Sequence, residues 1–467
     1  MSSPPSYLFW SATHLANAIR QGQLTSREVV EASLARVEEI NPVINAAVQV
    51  VSDRALSEAE QLDQLACAGR FQGPLHGVPI SIKDSLDTEG IVTTGGTLGR
   101  KNFVPHRDAP VVKRLRDAGA VLIAKTNTPE LTLGGETENL IYGRTNNPYD
   151  IMRSPGGSSG GSAAMVAVGG AALELGSDTG GSIREPAHLC GVAGIKPTTG
   201  RTPRTGHIVP YGTGVLDSLT QIGPIARYVE DLELGLRIIC GPDGQDPGVV
   251  PVPLLNSETV ELSNIRIAYY TDNGVVPLDS EVERVVEQAV ATLKPEVLSI
   301  EHAPMPGMPR MTELLSELRR AATGAAASRL LERYGTVQPG PDLERYFKKS
   351  DLSINATVKT SLLESIDEQR SQALMFMQNF DAIICPPSHV LARLHGQAAE
   401  DSYEHWSYIT LQNLLGWPGS VVRAGTSADG ILPIGVQIVA APWREDITLA
   451  LAKRIETLLG GYRQPEI

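Results

Sequence analysis

The chain has 467 residues, of which 42% are hydrophobic, and its formal net charge is −13. This composition excludes a disordered chain, and the lack of a linker rich in Pro, Ser or like charge predicts one domain over residues 1–467. The acidic balance argues against nucleic acid or an anionic membrane as a direct partner, because both bind a basic face.

The start of the chain, MSSPPSYLFW, has neither a basic n-region nor an apolar h-region, and no run of about 18 or more apolar residues follows. We therefore expect a soluble, cytoplasmic protein. The four cysteines are scattered without C-x-x-C spacing or nearby histidines, which indicates neither a disulfide framework nor a zinc site. No metal and no other cofactor is expected.

The first 70 residues are expected to be helical. Apolar positions spaced three and four apart predict a helix over residues 25–40, capped by Thr25 or Ser26 and ending before Pro42. A second, more polar helix is predicted over about 53–68. The pattern then changes, because GVPISIKD (residues 77–84) alternates apolar and other side chains with the period of a strand.

The next elements establish a β/α alternation. A helix closed by Gly119 precedes a short buried strand, AVLIAKT, and after an irregular loop over 140–162 a helix of small residues leads into the strand LELGSD. Near the C-terminus, residues 382–387 and 433–439 read as buried strands and 447–459 as a closing amphipathic helix. Residues 300–360 are variable and helical, and are expected to shape a pocket.

The serine at position 158 admits two weak interpretations. GGSSG formally matches the G-x-S-x-G nucleophile elbow, but an elbow needs a strand directly before it, and here Asn and Pro residues make a loop. A phosphate-binding loop is equally poorly supported, since neither glycine-rich stretch has the G-x-x-x-x-G-K-[ST] or G-x-G-x-x-G pattern.

A third interpretation joins Lys83, Ser158 and Ser182. Amide hydrolysis needs an activated hydroxyl, a base that takes its proton, and donors aimed at the developing oxyanion. A lysine serves as base only when neutral, so its pKa must be lowered by burial. By itself, Lys83 could equally be a solvated surface lysine or the ion-pair partner of Asp84.

Six stretches occur in an order that resembles the amidase signature family: HGVPISIKD, AKTNTPE, SPGGSSGGSAA, GSDTGGSIREPA, CGVAGIKPT and LPIGVQIV. The resemblance covers nearly the whole chain and is strongest from about 70 to 225, so that residues 71–230 form the signature core. It implies an α/β fold with a central mixed β-sheet that is covered on both faces by helices.

The resemblance also implies a Ser–cis-Ser–Lys triad. Ser182 would be the nucleophile that forms the acyl-enzyme, Ser158 the bridging serine after a cis Gly157–Ser158 peptide bond, and Lys83 the base. The backbone N–H groups of Thr179, Gly180, Gly181 and Ser182 would form the oxyanion hole.

Three further polar residues receive more modest predictions. Arg184 is expected to brace the turn that carries Ser182 rather than touch substrate, and Asp178 is expected to accept hydrogen bonds from nearby N–H groups. His207 is a candidate for the acyl pocket, with a surface turn as the alternative.

The substrate prediction depends on Trp406. The glutaminase component of the tRNA-dependent amidotransferase carries an Asp before an N-L-x-G-x-P-G motif, and Trp406 stands at that place before NLLGWPG. An aromatic residue there favours an apolar substrate. The sequence thus predicts a stand-alone amidase cleaving small, fairly apolar amides or carbamates, similar to aryl acylamidases and urethanases. The alternative is the glutaminase component of the amidotransferase. A homodimer is one candidate oligomeric state.

Overall fold

The computed structural model describes residues 4–349, 356–400 and 402–467; the predicted segment 300–360 lies partly outside them. Thirteen strands are found in these ranges: β1 Ala47–Val50, β2 Pro79–Lys83, β3 Val121–Thr126, β4 Glu138–Asn139, β5 Gly143–Arg144, β6 Leu173–Asp178, β7 Ala193–Lys196, β8 Gln221–Ala226, β9 Arg266–Tyr269, β10 Ser299–His302, β11 Ala382–Cys385, β12 Gly419–Thr426 and β13 Pro433–Ala440.

The same ranges hold fourteen α-helices: α1 Ala12–Arg20, α2 Ser26–Ile44, α3 Ser52–Cys67, α4 Pro110–Asp117, α5 Gly160–Ala167, α6 Arg184–Leu189, α7 Val215–Ser218, α8 Val229–Ile239, α9 Ser280–Leu293, α10 Met308–Tyr334, α11 Pro341–Lys349, α12 Ala356–Phe376, α13 Ser407–Leu415 and α14 Glu445–Leu459. The segment before residue 70, expected to be helical, also contributes β1.

One mixed sheet of 11 strands runs through the molecule in the order β1-β3-β2-β6-β8-β7-β12-β13-β11-β9-β10. Strand β2 is parallel to both β3 and β6, whereas β8, β7, β12 and β13 pair antiparallel. The predicted mixed α/β sheet of the amidase signature fold is confirmed.

Alternation along the strands places apolar side chains against helices on both faces of the sheet. Ile80 and Ile82 of β2 pack in a core with α4, α8, α9 and α14. Val121 and Ile123 of β3 pack on the opposite side with α2, α3 and α5. Because Lys83 follows Ile82 in a strand, its side chain lies on the α5 side.

Helix α2 shows how local sequence sets a boundary. Thr25 caps it through a capping box, in which Glu28 N–H donates to Thr25 Oγ1 and Thr25 N–H donates to Glu28. The predicted end before Pro42 is wrong, because the helix continues to Ile44 with Pro42 in its last turn. Asn45 follows in the left-handed conformation and ends the helix.

No helix in the part of the chain that the structure describes has the length and apolarity needed to cross a lipid bilayer.

Candidate active site

The site begins at the carboxyl ends of β2 and β6, which lie at the same edge because the two strands are parallel. Lys83 is the last residue of β2 and is fully buried. Its Nζ donates to Ser158 Oγ at 2.7 Å, to Ser159 Oγ at 2.9 Å and to Ser177 Oγ at 3.1 Å. The amine is therefore surrounded by serine hydroxyls.

Burial lowers the pKa of Lys83 well below its ordinary value, although the negative charges of Asp178 and Glu174 oppose that shift. The alternative ion pair with Asp84 is not formed. Asp84 instead accepts hydrogen bonds from the N–H and hydroxyl of Thr94 and lies 4.0 Å from Lys125 Nζ. Lys83 thus has no carboxylate within ion-pair distance among the described residues.

Ser158 lies in the glycine-rich loop directly before α5. The Gly157–Ser158 peptide bond is cis, as the resemblance implied. The next N–H, that of Ser159, donates to the carbonyl of Ser182 at 3.1 Å. This contact holds the loop with Ser158 against the turn with Ser182.

The turn that carries Ser182 is braced by a buried ion pair between Asp178 and Arg184, with 3.0 Å between Oδ1 and Nη2. The Asp178 carboxylate also accepts from the N–H groups of Gly181 and Ile183. Burial alone would raise the pKa of Asp178, but the charge and hydrogen bonds of Arg184 outweigh it and hold that pKa below its usual range. The bracing roles predicted for Asp178 and Arg184 are confirmed.

The oxyanion-hole prediction changes at one position. Gly181 N–H donates to Asp178 Oδ1 at 2.8 Å, so this donor is already occupied by the carboxylate that stabilises the turn. Gly181 is needed for its backbone, which has a φ of 105°, a value that L side chains rarely adopt. Thr179, Gly180 and Ser182 line the cavity.

A cavity of about 340 Å³ opens over Ser182. Trp406, predicted to bind substrate, lines it and packs its ring over the backbone of Gly135. The sequence analysis missed Arg319, which reaches the cavity from α10 with its guanidinium against Gly180 and 5.5 Å from the Tyr403 ring centroid. The helical segment gave no motif that could single this arginine out.

Helix α11, within the segment predicted to shape the pocket, also lines the cavity. The lining carries acidic and basic side chains together: Glu130, Glu136, Glu138, Arg319, Asp342, Arg345 and Lys349. A pocket with both signs of charge differs from the apolar pocket that the sequence predicted.

His207 is neither in the cavity lining nor on a surface turn. It is 3% exposed, and its Nδ1 lies 3.2 Å from the N–H of Val209 that donates to it. Burial lowers the pKa of His207 to about 3, which keeps the ring neutral near pH 7. Packing of this loop against Ser85 and Leu86, directly after β2, therefore makes this histidine an internal one.

The described residues include no cluster of three or more His, Cys, Asp or Glu side chains placed to hold a metal ion. The groups in hydrogen-bond contact at this edge of the sheet are the amine of Lys83 and serine hydroxyls.

Comparison with known proteins agrees with this geometry, since residues 28–449 match the Amidase family. The chain belongs to the amidase signature family. The structure of a 6-aminohexanoate cyclic dimer hydrolase superimposes with a TM-score of 0.86 at 28% identity, covering 98% of this chain and 99% of that one. The Amidase family and structural neighbours such as a fatty acid amide hydrolase, at 26% identity, support the same chemistry: this amidase acts on C–N bonds.

Curated relatives correct the substrate prediction. The A-type subunit of the glutamyl-tRNA(Gln) amidotransferase from a Picosynechococcus strain is 34% identical, over 94% of this chain and 96% of the relative. Its counterpart from Heliobacterium modesticaldum is 34% identical, over 98% of each chain. The predicted stand-alone amidase or carbamate hydrolase for apolar substrates is therefore wrong. The prediction depended on Trp406 alone, whereas the same cavity is also lined by charged residues from segments distant in the sequence.

The same relatives contradict the prediction of a small-molecule enzyme with no nucleic-acid partner, because their names place them as one subunit of an enzyme for glutamyl-tRNA(Gln). The net charge of −13 argued only against a basic face on this one chain. The net charge of one chain carries no information on the substrate of an assembly such as the one these relatives are named for.

Proposed function

We propose that this protein is the glutaminase (A-type) subunit of a glutamyl-tRNA(Gln) amidotransferase, which releases ammonia from the side-chain amide of glutamine. One observation carries the proposal: the similarity to A-type subunits runs from end to end of both chains, at 34% identity. The 6-aminohexanoate cyclic dimer hydrolase, whose structure also spans the whole chain, is less similar, at 28% identity.

In the proposed reaction, neutral Lys83 takes a proton from Ser158, and Ser158 takes one from Ser182. Ser182 Oγ then attacks the amide carbonyl carbon. The proton returns along the same path to the leaving nitrogen, the C–N bond breaks and ammonia departs. Water, deprotonated by the same relay, attacks the acyl-enzyme and releases glutamate. The N–H groups of Thr179, Gly180 and Ser182 are the proposed oxyanion donors.

Glutamine is a zwitterion, so its binding site needs both signs of charge. Arg319 supports this substrate because its guanidinium lies beside Gly180, within the cavity that holds Ser182. A guanidinium binds a carboxylate through two parallel hydrogen bonds. We assign Arg319 to the α-carboxylate of glutamine and the acidic lining residues to its ammonium group. Trp406 would contact the methylene chain.

The test compares two anilides with the same leaving group, L-γ-glutamyl-4-nitroanilide and 4-nitroacetanilide. We expect a clear preference in kcat/KM for the glutamyl compound, lost in Ser182→Ala. Arg319→Gln should remove most of that preference through KM. The matched control is Arg320→Gln, since Arg320 is the next residue of α10 and is exposed outside the cavity.

A preference for 4-nitroacetanilide, or equal losses in Arg319→Gln and Arg320→Gln, would contradict the assignment of glutamine. Ammonia released from free glutamine, measured alongside, checks that the anilide reports on the natural bond.

A further inference from the structure

A buried carboxyl group, that of Glu174, lies beneath the site and has no part in the proposed reaction. Glu174 is on β6 and is fully buried. Its partners are three hydroxyls: Ser81 Oγ, Thr126 Oγ1 at 2.9 Å and Ser162 Oγ at 3.1 Å. All three are buried as well. A carboxyl group is costly to bury, and here it is held entirely by hydroxyl donors.

The three hydroxyls belong to three different elements of the site. Ser81 is two residues before Lys83 on β2, Thr126 ends β3, and Ser162 is in the first turn of α5, four residues after Ser158. In the parallel register of β2 and β6, Ser81 pairs directly with Glu174. Residues two apart on a strand share a face, so Glu174 lies on the same face as Lys83.

The charges around Lys83 single out Glu174. Two anions act on Lys83, Asp178 and Glu174, both from β6. Asp178 is compensated by its contact with Arg184. His207, from the neighbouring loop, is kept neutral near pH 7 by burial, which lowers its pKa. Glu174 has no cation in contact among the described residues, and Lys125 acts on it only electrostatically.

We propose that Glu174 is a positioning residue for Lys83: it ties β2, which carries the base, to the helix that follows Ser158, and its charge sets the protonation of the base. This inference rests on the role of Lys83 in the proposed function. Burial raises the pKa of Glu174 to about 7, so the carboxyl group changes charge close to neutral pH. Once ionised, it favours the ammonium form of Lys83 and holds the base inactive to higher pH.

The experiment measures acylation of Ser182 by 4-nitrophenyl acetate against pH, in the full chain and in Glu174→Gln. The glutamine side chain in this variant has nearly the same size as that of glutamate and carries no charge. In Glu174→Gln, we expect the rise of the acylation rate with pH to occur about one pH unit lower, because the variant lacks an anion that acts on the base. Asp231→Asn is the matched control: Asp231 is a buried carboxyl held by the N–H of Ala12 and by Thr13, away from Lys83.

If the acylation rate of Glu174→Gln rises at the same pH as that of the unmodified chain, the inference is overturned. The same holds if Asp231→Asn shifts the rise as far as Glu174→Gln does. If Glu174→Gln does not fold, Ser162→Ala replaces it: loss of one donor to the carboxylate favours its neutral form and should move the rise in the same direction by a smaller amount.

The ester has no amino-acid head group, so its reaction does not depend on glutamine being the substrate. If the unmodified chain shows no preference for the glutamyl anilide, the proposed function is contradicted, but the effect of Glu174 on the pH dependence of acylation is not. If Lys83→Ala acylates with the pH dependence of the unmodified chain, both the base assignment and the role of Glu174 are wrong.

Discussion

Lys83 shows how one side chain can be converted into a base by its position. The lysine is fully buried, and its only close partners among the described residues are serine hydroxyls and the carbonyl of Ser177. Burial disfavours the ammonium form because hydroxyl dipoles replace only part of its hydration. The neutral amine that remains can accept a proton from Ser158, which lies 2.7 Å away.

The first prediction concerns the three proposed catalytic residues. Ser182→Ala should abolish turnover, and Lys83→Ala and Ser158→Ala should each lower kcat by about 10²–10⁴-fold, since the proton relay is lost and the cavity remains. In the unmodified chain, kcat/KM should rise with pH, because only neutral Lys83 is active and protonation at low pH removes it. Steady-state kinetics with the glutamyl anilide measures both.

Lys125→Ala serves as the control for loss of a buried lysine. Lys125 is equally buried, but its Nζ donates to Leu86, Thr88 and Thr93 rather than to the site serines. Near-full activity of Lys83→Ala at neutral pH would show that another group is the base.

At the scale of elements, helices α10 and α11 form one wall of the cavity although they are far from the catalytic motifs in sequence. Leu343 of α11 is fully buried in a cluster with Leu131 and Ile208. The N–H of Gly340, just before the helix, donates to Glu130 at 2.6 Å. These contacts fix α11 against the loop that follows β3.

Truncation of Leu343 to Ala should therefore loosen this wall. We expect KM for the glutamyl anilide to rise several-fold with a smaller change in kcat, because the triad is on other elements. The free energy of unfolding should fall by about 2–5 kcal/mol. Chemical denaturation and steady-state kinetics give the two quantities.

Leu62→Ala is the matched control, because it makes the same truncation at a buried leucine. Leu62 packs against α2 and is not in the cavity lining. It should lower stability and leave KM unchanged. An equal rise of KM in both variants would show that α11 has no specific role.

For the whole molecule, three fully buried lysines make stability depend on pH. Burial lowers the pKa of Lys125 to about 8 and that of Lys196 to about 7, and lowers the pKa of Lys83 as well. Between these values and about 10.4, the unfolded chain binds protons that the folded chain does not. The unfolded state therefore gains relative free energy as pH rises, and the fold becomes more stable.

We expect the free energy of unfolding to increase from about pH 7.5 to about pH 8.5, below the range in which buried Cys190 and Cys385, with pKa values raised by burial, oppose the trend. Lys196→Met should flatten this slope by about one proton, equivalent to about 1.4 kcal/mol per pH unit. Urea denaturation at several pH values measures the slope. Lys113→Met, which removes a side chain 66% exposed, should leave it unchanged. A slope that is equal in Lys196→Met and the unmodified chain would contradict the burial argument.

The sequence by itself determined the mixed α/β alternation and the place of Lys83 at the end of a strand, and its resemblance to the amidase signature family implied the cis Gly157–Ser158 bond. The first two features depend on short-range patterns, because the alternation of side chains in GVPISIKD ends β2 with Lys83. The substrate pocket was decided by the tertiary structure alone. Arg319 reaches Gly180 only because α10 packs there, so no local pattern marks it as a binding residue. The occupied Gly181 N–H and the internal position of His207 likewise arise from contacts between segments, since such hydrogen bonds and burial exist only once the chain has folded.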